Sequence, residues 1–142
     1  MRALLPAALA LAAALAVGVG TTASAAPVPI RATLTTSSTS PQVGEPWRYT
    51  VVVRRGSRRT TERSLVRLQI LLGQTVVGCW RDGRMAECVS GSPGDWIAFR
   101  GRRTGVLRWP AQSVGVRLTF QVVVKAGGRT LRLRAPLVVK PA

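Results

Sequence analysis

The chain has no histidine, five acidic residues, two cysteines and, in 142 residues, seven aromatics: four Trp, one Tyr and two Phe. Each scarcity removes chemistry. Without an imidazole there is no Ser-His-Asp triad, no Cys-His pair and no imidazole-ligated zinc. The five acids, Glu45, Glu62, Asp82, Glu87 and Asp95, are scattered. They leave little for a two-carboxylate mechanism or an oxygen-ligand metal cage. Ser and Thr are plentiful, yet neither G-x-S-x-G nor S-x-x-K occurs. The expectation is a protein that is not an enzyme, with no catalytic residue, no cofactor and no metal. A copper-handling site is also not expected, because Met85 is the only methionine beyond the first residues.

Positive charge is abundant instead. Lys and Arg number 21, the formal balance is +16, and 19 of the 21 bases are Arg. The first segment carries little of it. Met1-Arg2 is a short basic start, Leu4 to Val19 is apolar, and Ala23-Ser24-Ala25 is a small-residue cleavage pattern. That order predicts a secretory signal peptide over residues 1–25, cut before Ala26. The apolar run is too short and too glycine-punctuated for a membrane span, and no later run is long enough. Removing residues 1–25 leaves 117 residues and takes away one base, Arg2, so the charge becomes +15. Residues 26–142 are long enough for one domain with its own core. The location expected is secreted or extracytoplasmic.

Both cysteines, Cys79 and Cys88, lie in the exported part, where oxidation is favoured. Their spacing does not match C-x-x-C, and the chain offers no imidazole or further thiol, so a structural disulfide is expected. A Gly83-Arg84 type II′ turn sets Cys79 opposite Cys88. The competing Asp82-Gly83 turn misaligns them and requires a bulge. Closing so short a loop contributes roughly 2–3 kcal/mol.

After Pro29 the chain alternates with period two. Ile30-Ala32-Leu34 form one face, and Trp47-Tyr49-Val51-Val53 another. Val66-Leu68-Ile70-Leu72 and Val116-Leu118-Phe120-Val122-Val124 repeat the pattern. Thr75 to Trp80, Trp96 to Phe99, Gly105 to Trp109 and Arg129 to Val139 complete eight candidate strands. Pro136 marks the last as an edge or a bulge. Ala126-Gly127-Gly128 is a hairpin turn, and no segment sustains a helical period. An all-β antiparallel sandwich of seven or eight strands follows, with a small barrel as second choice. Trp47 and Trp109 are expected in its core.

Several local sequences support a closer comparison. They are Pro41-x-Val43-Gly44, Trp47 to Val53, Gly73-Gln74-Thr75-Val76-Val77-Gly78, Trp109-Pro110-Ala111-Gln112-Ser113-Val114-Gly115 and Leu118 to Val124. In this order they resemble a poorly characterised group of secreted immunoglobulin-like β-sandwich proteins of high-GC bacteria, from about Trp47 to the end. The resemblance implies a single immunoglobulin-like sandwich and export, and no activity. The chain departs from the pattern in an enlarged Cys79–Asp95 loop, and in Arg117 where a proline is common. Its cysteines are too close in sequence for the usual inter-sheet disulfide.

Three places can carry binding. If Leu118 and Phe120 face the core, then Arg117, Thr119 and Gln121 face out; Thr130, Arg132 and Arg134 do so on the next strand, and Arg67 and Gln69 on an earlier one. An immunoglobulin-like order puts the three strands in one sheet, giving an Arg-rich face that gains by meeting phosphate or carboxylate. Arg67, Arg117, Arg132 and Arg134 are the anion-binding candidates. The same pattern also results from a solvated face in an arginine-favouring lineage. The second place is the cysteine loop, where Trp80, Arg81, Arg84 and Trp96 could meet a partner protein or fold back on the core. The third is the pair of basic turns, Arg54 to Arg59 and Arg100 to Arg103, read as solvated. The partners expected are an anionic envelope polymer or lipid surface, or a secreted protein. No specific nucleic acid is expected, since export and the lack of interleaved aromatics argue against it.

Overall fold

Alternating side chains need a second apolar surface to cover their inner face, and the computed structural model supplies it as two packed antiparallel sheets. It describes residues 27–89 and 91–142, with Gly18 and Gly20. Apart from those two glycines, the leader and its cleavage site lie outside the described residues. Ten strands occur among the described residues: β1 (Ile30–Thr36), β2 (Trp47–Arg55), β3 (Arg58–Arg59), β4 (Arg63–Leu72), β5 (Thr75–Arg81), β6 (Arg84–Glu87), β7 (Ile97–Arg100), β8 (Arg102–Leu107), β9 (Arg117–Ala126) and β10 (Arg129–Val138). The wider sheet runs β10-β9-β4-β5-β6, with β7 also on β4. The narrower one places β2 between β1 and β8, with the short β3 on the end of β2.

The count exceeds the seven or eight expected because two short ladders form inside segments read as loops. β3 folds back across Gly56-Ser57 onto Arg54 and Arg55. β6 pairs with β5 inside the cysteine loop. The strand expected over Gly105–Trp109 is displaced to Arg102–Leu107, since Pro110 draws Trp109 out of the ladder while Arg102 and Arg103 pair with Val52 and Val51.

The core is the set of inward positions. Trp47, Tyr49, Val51 and Val53 of β2 meet Val66 and Leu68 of β4 and Phe120, Val122 and Val124 of β9, all essentially inaccessible. Trp47 packs edge-on to Trp109 at 5.3 Å and to Phe120 at 5.1 Å between centroids, and its Nε1–H donates to Ser38 O at 2.8 Å. Full burial of each large side chain contributes roughly 1.5–3 kcal/mol. One expected core position is corrected. Leu72 is 49% exposed, while Leu71, on the opposite face, is buried at 2%. A register shift between Ile70 and Leu71 bends β4 against β5, and the narrower sheet does not reach over Leu72.

Cys79 and Cys88 form a disulfide, consistent with an oxidising, extracytoplasmic environment. Its turn differs from the expected Gly83-Arg84. Arg81 pairs with Arg84, so Asp82 and Gly83 make the turn, with φ of 51° and 79°. Two successive positive φ angles define a type I′ turn, whose twist suits a hairpin and which Asp-Gly favours. Cys79 therefore lies opposite Ala86 rather than Cys88. Cys88 follows the end of β6, and the chain bends inward there to bring the two Cα atoms within 5.1 Å.

β7 belongs to the wider sheet and β8 to the narrower, and Gly101 alone joins them. Its φ is +68°, and a Cβ there would sit 2.6 Å from Thr60 O. Its carbonyl accepts from Val53 N–H at 2.8 Å. Only glycine permits this crossing without displacing the backbone.

Candidate functional site

β10, β9 and β4 are neighbours in one sheet, so their outward side chains share a face. The face is not bare. After the disulfide, the chain lies back across it, and Pro93 and Trp96 form one wall of a groove of about 420 Å³. The floor is Gln69, Gln121, Leu71 and Val123, all buried although they point away from the core.

A directed chain of hydrogen bonds crosses this floor. Arg134 Nε–H donates to Gln121 Oε1 at 2.8 Å, Gln121 Nε2 donates to Gln69 Oε1 at 2.8 Å, and Gln69 Nε2 donates to Pro93 O at 3.0 Å. Buried amides need such partners, and here they fasten the loop to the sheet. Trp96 adds a second attachment. The Arg67 guanidinium lies 4.0 Å from its ring centroid and Lys125 Nζ 4.5 Å. The ring quadrupole attracts both cations.

Arg67, Lys125, Arg132 and Arg134 line the groove. Arg67 Nε is buried with no hydrogen-bond partner among the described residues. Burial pushes the Arg67 guanidinium below its ordinary value, with Asp95 opposing. An arginine nevertheless stays protonated, so the desolvation is a cost of holding the charge there rather than a pH switch. Asp95 offers only partial compensation, because its Oδ2 accepts from the Asp82 N–H at 3.0 Å in the neighbouring hairpin turn. An anion in the groove would meet four cations, one of them poorly hydrated.

The structure thus brings Arg67, Arg132 and Arg134 together and leaves Arg117 apart. Arg117 pairs with Val138 at the other end of β9, about 13 Å along the strand from Gln121 at a rise of ~3.3 Å per residue. Sequence reasoning missed Lys125, although it shares the outward parity of Gln121. It also missed the cover over this face, which apolar Val123 at an outward position signals.

The loop residues divide. Trp80 pairs with Met85 and packs inward against the core, whereas Trp96 lies on the outer face over Arg67. Arg81 reaches Ser92 O at 3.5 Å, and Arg84 is exposed at the hairpin turn opposite it. Trp80 and Trp96 therefore do not form one patch.

The two basic segments are mostly exposed, with one correction. Arg55 pairs with Glu62 at 3.5 Å, and Arg100 donates to Thr61 O at 2.9 Å. Arg103, expected to be solvated, is half-buried on β8, and its Nε–H donates to the hydroxyl of the core residue Tyr49 at 3.3 Å. The acids nearest the cysteine loop are separated: Glu87 lines an apolar gap between the sheets, while Asp95 holds the Asp82 turn.

No protein-family model matches this sequence, and comparison with curated proteins and with solved structures gave no significant match.

Proposed function

We propose that the chain is exported, loses residues 1–25, and works outside the cytoplasm as a non-catalytic immunoglobulin-like sandwich that holds anionic cell-envelope material in the groove on the outer face of β10-β9-β4. The observation that carries this reading is the convergence of Arg67, Lys125, Arg132 and Arg134 on one groove, with one arginine partly desolvated. Desolvated positive charge gains most from a bound anion, and arginine binds phosphate and carboxylate in a bidentate way. The likeness to secreted sandwich proteins supports the fold and export parts of the proposal. The rival reading is an inhibitor or accessory subunit acting through the Cys79–Cys88 loop. It has less support, because Trp80 and Trp96 lie on opposite faces of the sheet.

The test separates the groove from net charge. Arg132→Gln with Arg134→Gln removes two groove cations. Arg48→Gln with Arg54→Gln removes two from the outer face of the other sheet, where both are exposed. Pull-down on isolated envelope is expected to be strong at low salt, to weaken at high salt, and to fall about tenfold in the groove variant alone. Equal loss in both variants, or binding indifferent to salt, overturns the reading.

A further inference from the structure

The two sheets differ in width. Among the described residues six strands, β10, β9, β4, β5, β6 and β7, face four, β1, β2, β8 and the two-residue β3. At one end β7 lies on β4 and crosses through Gly101 into β8, which closes that side. At the other end the inner face of β5 and β6 has no strand opposite it among the described residues. An apolar gap of about 540 Å³ remains there, lined by Ile70, Met85, Leu107, Trp109 and Leu118, with exposed Leu72 at its rim.

β8 reaches this gap at Leu107 and, among the described residues, pairs on one side only, with β2. Its far side has no ladder partner among the described residues, which leaves backbone N–H and C=O groups free to pair. The other long edges are blunted. β10 contains Pro136, and β1 packs along β10. β6 is four residues long and turns Glu87 toward the gap. β8 has no proline and six residues of ladder. Arg100, Arg102, Arg103 and Arg108 lie along or beside it, with Glu87 the sole acid on the gap wall among the described residues.

We infer that the β8 edge and the adjoining gap receive an extended acidic strand donated by a partner protein. A strand laid beside β8 widens the narrower sheet from four strands to five and covers β5. Its main chain completes the ladder, its alternate apolar side chains enter the gap against Ile70, Met85 and Leu107, and its acidic side chains meet Arg102 and Arg108. A second copy of this chain is a poor donor, because each carries +16. The site is separate from the basic groove, which lies on the outer face of the wider sheet, and does not depend on what binds there.

The probe is a ten-residue peptide alternating valine and glutamate. Controls are the same composition without alternation, and a valine–lysine alternation. Calorimetry should show one peptide per chain for the first alone, and amide exchange over Arg102–Leu107 should slow on its addition. Arg102→Glu with Arg108→Glu, both exposed, should weaken binding about tenfold. Met85→Trp, which fills the gap, should do the same, and Arg132→Gln with Arg134→Gln should leave it unchanged. Four results overturn the inference: equal binding of the non-alternating peptide, unchanged exchange in β8, loss of binding in the groove variant, or self-association through β8 without peptide.

Discussion

Replacing Cys79 and Cys88 together by alanine tests how the loop over the groove is held. The cysteines are nine residues apart. Freeing a closed loop of that length raises the entropy of the unfolded chain enough to cost about 2.6 kcal/mol at 25 °C. Over the strands and connections of residues 27–142, the average unfolding entropy converts this to a fall of about 10 °C in melting temperature. Cys79 is fully buried beneath the loop, so losing its sulfur adds to the effect. The assay is thermal unfolding followed by circular dichroism, with reduced wild-type protein as the parallel sample. Tryptophan fluorescence should also change, because Trp96 depends on the loop to stay over Arg67 and Lys125. A fall of less than about 0.5 kcal/mol would refute the reasoning, since the bridge would then not constrain the unfolded chain as its spacing requires. The loop would instead be held by the Gln69–Pro93 hydrogen bond and the two contacts to Trp96.

Trp96→Ala removes both cation–ring contacts and should lower stability by about 1–2 kcal/mol in urea unfolding, with larger mobility at Arg67 than at Arg117. Phe120→Ala empties the centre shared with Trp47 and Tyr49, and about 3–5 kcal/mol should be lost in the same assay. Gly101→Ala places a methyl group 2.6 Å from Thr60 O at a positive φ. It should destabilise by more than about 1–2 kcal/mol, and hydrogen exchange should quicken first in β7 and β8. No change in Gly101→Ala would mean that the crossing tolerates a side chain.

Much of the fold is readable because strand alternation is local. Trp47, Tyr49, Val51 and Val53 point one way in any straight strand, and all four are buried here. The Gly127-Gly128 hairpin and the edge position of β10 are likewise written in their glycines and Pro136. The turn of the cysteine hairpin is not legible from cysteine spacing. Setting Cys79 directly opposite Cys88 requires Gly83-Arg84, but two positive φ angles suit Asp82-Gly83, and the bend after β6 absorbs the offset. In the groove, the arginines of β4 and β10 follow from parity. That Gln69 and Gln121 are buried does not, because it depends on Pro93 and Trp96 returning across the sheet from a distant part of the chain.

The sequence by itself determined an all-β chain, its inward and outward residues, a cysteine pair and a large excess of positive charge. Local sterics and side-chain period are enough for these. Only the tertiary structure decided that four strands face six, that Trp80 and Trp96 part to opposite sides of one sheet, and that Arg67 loses water while Arg117 keeps it. The physical reason is that each depends on which distant segment covers a given face, and burial is a property of the cover as much as of the residue beneath it.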